Sequence, residues 1–106
     1  MRLSPRDPLM HEFLFTIASA HFQAGRLAEA VDCVERSLSL NTDQPSAWRV
    51  LAASQALLGN EEEAKRALKQ LLRLAPELDA EQLTQRLGEE YAARTVEALR
   101  KVGWTG

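Results

Sequence analysis

The hydrophobic positions of this chain fall in helical stripes. Between Trp48 and Pro76, apolar residues spaced three and four apart form two stripes on either side of the segment 57–60. Gly59 supplies the backbone freedom that a tight corner between two helices needs, and Pro76 cannot continue the second helix. The segment therefore predicts one antiparallel helical hairpin.

The same pattern occurs 34 positions earlier, where Gly59 falls on Gly25. The residues around it also fall on residues of similar kind: Leu51 on Ile17, Ala52 on Ala18, Ala64 on Ala30, Leu68 on Val34, Leu72 on Leu38 and Leu74 on Leu40. A repeat of this period indicates stacked helical hairpins that share a core. We therefore predict that the two glycines occupy equivalent turns, and that Trp48 and Leu51 lie in the core between the hairpins.

Capping signals and breakers predict where the helices begin and end. We expect helices from Asp7–Pro8 to about Ala24, over 27–40, from Pro45, from Glu61, from the N-cap Asp79 to Leu87, and over 89–102. Leu3 followed by Pro5 suggests the tail of a preceding repeat, so we expect the chain to be cut from a longer protein. The predicted units are this tail (1–7), a hairpin (8–44), a second hairpin (45–78) and capping helices (79–106).

The repeated motif resembles the tetratricopeptide repeat. Its second copy reads Trp48-x2-Leu51-Ala52-x2-Gln55…Ala64-x3-Leu68…Pro76, and its first, looser copy reads Leu14-x2-Ile17-Ala18-x2-His21…Ala30-x3-Val34…Thr42. This resemblance implies an all-α fold, a tetratricopeptide-type helical hairpin stack (alpha-alpha superhelix) with C-terminal capping helices. It also implies a scaffold for protein–protein or intramolecular domain interaction.

In tetratricopeptide repeats the ligand-facing positions lie on the first helix of each hairpin, along the concave face. The resemblance places these positions at Glu12, Phe15, Ser19, Phe22, Arg49, Ala53 and Ala56. Phe15 and Phe22 form an apolar ridge, which either binds a protein or peptide partner or is covered by an upstream or terminal helix. Exposed apolar surface on the ridge and the first helix also predicts self-association, as a possible homo-oligomer.

Composition narrows the class of protein. With 45% hydrophobic and 26% charged residues over 106 positions, the chain is expected to form one soluble globular domain. A net charge of -2 gives no overall attraction to nucleic acid or anionic membranes, and the apolar runs are too short to span a bilayer. A single cysteine, Cys33, excludes an internal disulfide and fits a reducing, cytoplasmic compartment.

We find no residues that predict catalysis, a cofactor or a metal site. His11 and His21 are ten positions apart, too far along a helix to share one metal ion. Cys33 lacks a neighbouring base, and no glycine-rich phosphate loop is present. The segment 83–88 with the helix after it weakly resembles a helix-turn-helix, but Glu89 and Glu90 would repel phosphates. The chain is therefore predicted not to be an enzyme.

A wider resemblance covers nearly the whole chain. The strings RLSPRDP, FTIASAHFQAGRLAEAV, RVLAASQALLGNEEEA and ALRKVGW resemble the C-terminal repeat segment of certain bacterial multidomain proteins. These proteins carry a class III adenylate/guanylate cyclase domain or a winged-helix regulatory domain upstream of the repeats. The resemblance implies a cytoplasmic regulatory or scaffolding module. The alternative is a segment that supports or dimerises such a cyclase domain.

Overall fold

The computed structural model describes residues 9–106, which fold into consecutive helices joined by short turns. The helices are α1 (Met10–Gln23), α2 (Leu27–Leu40), α3 (Pro45–Leu58), α4 (Glu61–Leu74), α5 (Ala80–Leu87) and α6 (Glu89–Lys101). The all-α hairpin stack predicted from the sequence is confirmed, with α1–α2 and α3–α4 as the two hairpins. The predicted helix start at Asp7–Pro8 and the predicted tail of a preceding repeat lie outside the described residues.

Gly25 and Gly59 end the first helix of each hairpin with the same backbone geometry. Their φ angles are 82° and 86°, in the left-handed region that side chains other than glycine rarely adopt. After α1, the Gly25 N–H donates to the Phe22 carbonyl (3.1 Å) and the Arg26 N–H donates to the His21 carbonyl (2.9 Å). The turn after α3 repeats both bonds 34 positions later, at 3.1 and 2.9 Å. These are paired Schellman bonds, and they confirm that the two turns are equivalent.

Side chains reinforce both turns at equivalent positions. Arg26 Nε donates to His21 Nδ1 at 2.9 Å, and Asn60 Nδ2 donates to Gln55 Oε1 at 2.7 Å. Because an arginine can only donate, the Nδ1 atom of His21 must be the acceptor, which puts the imidazole proton on Nε2. The repeat therefore keeps a polar contact across each turn although the residue types differ.

Helix α3 is the centre of the core. It packs against both α2 and α4, and α6 contacts it as well. Buried side chains occur on most of its surface: Ala47, Arg49, Val50, Leu51, Ala52, Ala53, Ser54 and Gln55. A helix that is buried nearly all round needs small residues where its neighbours come close, which explains the three alanines in this set.

Trp48 lies at the edge of this core. Leu51 is buried as predicted, but Trp48 is only partly buried, and its indole N–H donates to the Thr42 carbonyl at 2.9 Å. The tryptophan therefore holds the connector between the hairpins against α3 instead of filling the space between them. Its predicted position inside the shared core is wrong for this reason.

The solvent face of α4 is charged. Lys65 Nζ lies 3.4 Å from the Glu61 carboxylate, as the spacing predicts. The Arg66 guanidinium lies 3.3 Å from the carboxylate of Glu63, three positions earlier. Exposed pairs of this kind contribute only ~0.3 kcal/mol each. Their main effect is to keep the outer side of α4 in solvent.

The terminal hairpin α5–α6 packs back onto the repeats through α6. Asp79 is the predicted N-cap of α5, and its Oδ1 accepts the Gln82 N–H at 2.8 Å. After α6 the chain turns at Gly103, and Trp104 docks with only 5% of its surface exposed. The Ala80 N–H donates to the Gly106 carbonyl at 3.1 Å, so the last residues close against the beginning of α5.

The left-handed backbone angle at Gly59 predicts that alanine at this position destabilises the fold more than asparagine does. A β-carbon at Gly59 would meet no atom within 4 Å, so any loss of stability must come from the backbone angle. We expect Gly59→Ala to lower the free energy of unfolding by about 1 kcal/mol, and Gly59→Asn to lower it by less, because asparagine tolerates this conformation. Urea unfolding of the three proteins measures the order, and equal stability of the alanine variant and the wild type would contradict it.

The two tryptophans differ in burial and should therefore contribute differently to the free energy of unfolding. Trp104→Ala removes a buried side chain and should lower this free energy by about 3–5 kcal/mol. Trp48→Ala removes a partly buried one and should cost clearly less. Thermal and urea unfolding of both variants test this order, and a larger loss for Trp48→Ala would show that the hairpin interface depends on Trp48 after all.

Candidate functional site

The concave groove is the face of α1 and α3 that carries the sequence-predicted site residues. Its seven members are Glu12, Phe15, Ser19, Phe22, Arg49, Ala53 and Ala56. Glu12 is exposed, and Phe15, Ser19 and Ala56 are partly buried. Phe22, Arg49 and Ala53 are buried. The structure brings several of these residues together around a side chain from α6.

Tyr91, near the beginning of α6, connects both repeats. Its ring centroid lies 5.6 Å from that of Phe22, with the planes tilted by 33°. Its hydroxyl lies 3.0 Å from the Ser19 hydroxyl, within hydrogen-bond distance. The guanidinium carbon of Arg49 lies 5.9 Å from the tyrosine ring centroid, a cation–π distance. One side chain of the terminal hairpin thus contacts groove residues of α1 and α3.

Arg94 makes a second contact between α6 and α1. Its guanidinium donates to the carbonyl oxygens of Phe22 (3.2 Å) and Gln23 (3.1 Å). These carbonyls belong to the last turn of α1, where the helix dipole attracts a cation, and the Phe22 carbonyl accepts the Gly25 N–H as well. Arg94 therefore caps the C-terminal end of α1. It also fixes the position of α6 across the part of the groove next to Phe22.

Arg49 is a buried cation. It exposes 4% of its surface, and burial lowers the pKa of its guanidinium, which still remains protonated at neutral pH. The nearby Arg86 lowers the pKa in the same direction, while Tyr91 acts in the opposite direction. Arg49 Nε has no hydrogen-bond partner among the described residues, and a terminal nitrogen only approaches Ser46 Oγ at 3.5 Å. Tyr91 stabilises this charge through its ring, whose centroid lies 5.9 Å from the guanidinium carbon, and through its hydroxyl, which raises the pKa of Arg49.

A cleft of about 740 Å³ opens beside Tyr91, between the end of α1 and the corner that joins α5 to α6. Its lining is mainly polar, with a smaller aromatic and aliphatic part: Phe22, Gln23, Leu87, Gly88, Glu89, Glu90, Tyr91 and Arg94. Leu87 and Tyr91 are partly buried, and the two glutamates are exposed. This arrangement can hold an apolar side chain and present carboxylates to whatever flanks it.

Sequence reasoning did not identify Tyr91, Arg94 and Leu87 as groove residues. The repeat register assigns positions on α1–α4 but not on helices outside the repeat, so it gives no groove position for Tyr91 on α6. The partly polar character of tyrosine was the available signal, since a buried or half-buried hydroxyl needs a partner. The position of α6 across the groove was not foreseeable from spacing.

Each of the two histidines contacts a polar side chain. His11 lies 3.5 Å from the Asn41 amide nitrogen, and His21 accepts a hydrogen bond from Arg26. Cys33 is partly buried. In the part of the chain that the structure describes, no group of three or more His, Cys, Asp and Glu side chains could hold a metal ion. No helix between residues 9 and 106 is long and apolar enough to cross a membrane.

The Ser19–Tyr91 contact predicts a measurable coupling. Ser19→Ala and Tyr91→Phe each remove one hydroxyl of the pair, so the double variant should lose less stability than the sum of the two single variants. We expect a coupling of about 1 kcal/mol, as for a partly buried neutral hydrogen bond. Urea unfolding of the four proteins gives this number. Additive effects would indicate that the two hydroxyls bind water instead of each other.

Two family models match this chain, and both are described as tetratricopeptide repeat. One covers residues 11–54, from α1 into α3, and the other covers residues 46–78, over α3, α4 and the connector that follows. Together they span residues 11–78, well over half of the 106 positions. Neither the comparison with curated proteins nor the comparison with solved structures gave a significant match. The repeat register, the paired Schellman turns and both family models agree, and the chain belongs to the tetratricopeptide repeat family.

Proposed function

We propose that this chain is a non-catalytic scaffold that binds a protein or peptide segment along its concave groove. Tetratricopeptide repeats generally mediate protein–protein interactions. The observation that carries the proposal is the cleft of about 740 Å³ beside Tyr91, which lies on the groove side of α1 and is lined mainly by polar groups, with Leu87 and Tyr91 as its accessible apolar part. Polar groups placed around a cleft orient a bound segment and give the site its specificity.

The seven groove residues act in this proposal in two ways. Glu12, Phe15 and Ala56 are exposed or partly buried, so they contact the partner directly. Three others hold Tyr91 in place beneath the partner, namely Ser19, Phe22 and Arg49, and Ala53 is buried in the core. The groove is thus a composite of repeat residues and the terminal hairpin, with α6 as an intramolecular occupant of one part.

The charges around the cleft define the partner's chemistry. Glu89 and Glu90 stand at the beginning of α6 and are exposed, while the third charged lining residue, Arg94, donates to two carbonyls of α1. The net charge of the chain is also negative, at -2. We therefore assign to the cleft a segment with an apolar side chain followed by lysine or arginine, because the two carboxylates attract a cation and the partly buried Leu87 and Tyr91 offer apolar contact.

Selection of peptides from a random display library against the full chain tests the proposal. Selected peptides should share an apolar residue beside a basic one, and Leu87→Ala should weaken their binding by at least about tenfold. Glu89→Lys combined with Glu90→Lys should reverse the preference for basic residues. Isothermal titration with the selected peptides measures both effects.

A matched control for the charge reversal is Glu35→Lys combined with Glu62→Lys, since both glutamates are exposed on α2 and α4. This control changes the net charge equally and should leave binding unchanged. Peptides without the shared pattern, or binding that responds equally to both double variants, would reject the groove as the binding site.

The setting of the scaffold is part of the proposal. We infer a cytoplasmic location within a larger bacterial signalling or regulatory protein, supported by the resemblance of the chain to repeat segments of such proteins. The partner is then another protein or another domain of the same polypeptide. The alternative function is a segment that supports or dimerises an adenylate/guanylate cyclase domain, and the observation that favours it is exposed apolar surface on α1, at Leu9 and Phe13.

A further inference from the structure

The cleft beside Tyr91 is built from two parts of the chain that meet through helix packing. One wall is the end of α1, at Phe22 and Gln23. The other wall is the corner between α5 and α6, from Leu87 to Tyr91, together with Arg94. Of the described helices, α2, α3 and α4 contribute no residue to the lining. The cleft is therefore complete only while α6 stays docked on the repeats.

Residues 80–106, which we call the terminal unit, make contacts among themselves. The Ala80 N–H donates to the Gly106 carbonyl, and the Trp104 N–H donates to the Leu99 carbonyl, both at 3.1 Å. The Trp104 side chain is buried, and α5 packs mainly on α6. The terminal unit is thus held together internally, and a single helix, α6, provides most of its attachment to the two repeat hairpins.

A short connector, residues 75–79, joins the terminal unit to α4. Its backbone hydrogen bonds are local: the Ala75 N–H donates to the Leu71 carbonyl at 2.8 Å, and the Leu78 N–H donates to the Ala75 carbonyl at 3.2 Å. Pro76, in the middle of the connector, is exposed. Neither bond involves α1 or α3, so the connector itself does not hold the terminal unit against the groove.

Docking of α6 has a cost as well as a gain. The gain is packing on α3 and burial of apolar side chains of α6 such as Val96 and Leu99. The cost is the charge of Arg49, which exposes 4% of its surface beside the Tyr91 ring and has no hydrogen-bond partner for its Nε among the described residues. A buried cation without a carboxylate partner is costly, and undocking would return this one to water. The two contributions oppose each other, so the docked state is only moderately favoured.

We propose that the terminal unit docks and undocks as one body about the connector 75–79, and that a segment bound in the cleft beside Tyr91 keeps it docked. A ligand that touches both walls binds the docked state alone, and it therefore shifts the equilibrium toward docking. By linkage, any change that favours docking also raises the affinity for the ligand. The effect of the ligand rests on the proposed function, whereas the docking equilibrium does not.

Native-state hydrogen exchange of the full chain at increasing urea concentrations tests the docking equilibrium. Amides of α5 and α6 should exchange together, through an opening at least about tenfold more frequent than the one that exposes α2 and α3. This opening should also depend less on urea, because it uncovers less surface than global unfolding does. Exchange of α6 only together with α3, at every urea concentration, overturns the proposal.

A pair of arginine variants on α6 tests the contact with α1. Arg94→Ala removes the two hydrogen bonds to the end of α1, and the terminal unit should then open at least about tenfold more often. Arg100→Ala is the matched control, since Arg100 is exposed on the same helix and its side chain makes no hydrogen bond or ion pair among the described residues. The control should open as often as the wild type. Equal effects of the two variants would overturn the proposed attachment.

The cost of burying Arg49 predicts a change of opposite sign. Arg49→Met keeps a long side chain without the charge, so the terminal unit should open less often than in the wild type, by about tenfold. The same exchange experiment measures this change. A terminal unit that opens more often in Arg49→Met would show that the guanidinium favours docking, and it would overturn the energetic balance on which the proposal depends.

A peptide from the display selection tests the effect of the ligand. At 100 times its dissociation constant, it should make opening of the terminal unit about 100-fold rarer. A peptide that slows exchange in α2 but leaves opening of the terminal unit unchanged is bound to the repeats alone, which overturns the coupling. Separate opening of the terminal unit without any selected peptide supports the docking equilibrium and rejects the proposed function. Bound peptides without separate opening support the proposed function and overturn the docking equilibrium.

Discussion

Burial of α3 on nearly every side is the constraint on which the rest of this structure depends. A helical hairpin has one apolar stripe per helix and cannot bury both by itself, so it needs a neighbour. Here α3 receives α2, α4 and α6, and its side chains at Ala47, Ala52 and Ala53 are small enough for close approach. Larger side chains at these positions would force the surrounding helices apart and open the core.

The buried face of α3 includes polar atoms that remain without partners. Ser54 Oγ on α3 and Thr95 Oγ1 on α6 are both buried and make no hydrogen bond among the described residues, as is also true of Arg49 Nε. An unpaired buried polar atom costs stability. The core around α3 is therefore tightly packed but polar in part.

The hairpins could be predicted from the sequence because the signals that define them are local. Glycine at a left-handed turn, proline at a helix end and apolar residues at helical spacing each act within a few positions, and the turns at Gly25 and Gly59 came out as expected. The 34-residue register also transferred the groove positions from one hairpin to the other. These features depend on local backbone geometry. A sequence pattern that occurs twice gives the same local geometry in both hairpins.

What could not be predicted depends on contacts far apart in the sequence. Ser19 and Tyr91 are 72 positions apart, and no spacing rule connects them. Trp48 was expected in the core because tryptophan carries a large apolar area, but its indole N–H needs an acceptor and finds one at the Thr42 carbonyl, at the edge. The repeat pattern therefore predicts only the groove residues on α1 and α3, because the others lie on α6, a helix outside the repeat.

Contacts made by α6 explain why the terminal hairpin lies where it does. The apolar side of α6, including Val96 and Leu99, is buried, and α6 packs on α3. At its beginning, Tyr91 and Arg94 find partners on α1, where the Tyr91 hydroxyl lies 3.0 Å from the Ser19 hydroxyl and Arg94 donates to the Phe22 carbonyl at 3.2 Å. Apolar burial thus attaches α6 to the repeats, and two polar contacts with α1 fix which side of the stack it covers.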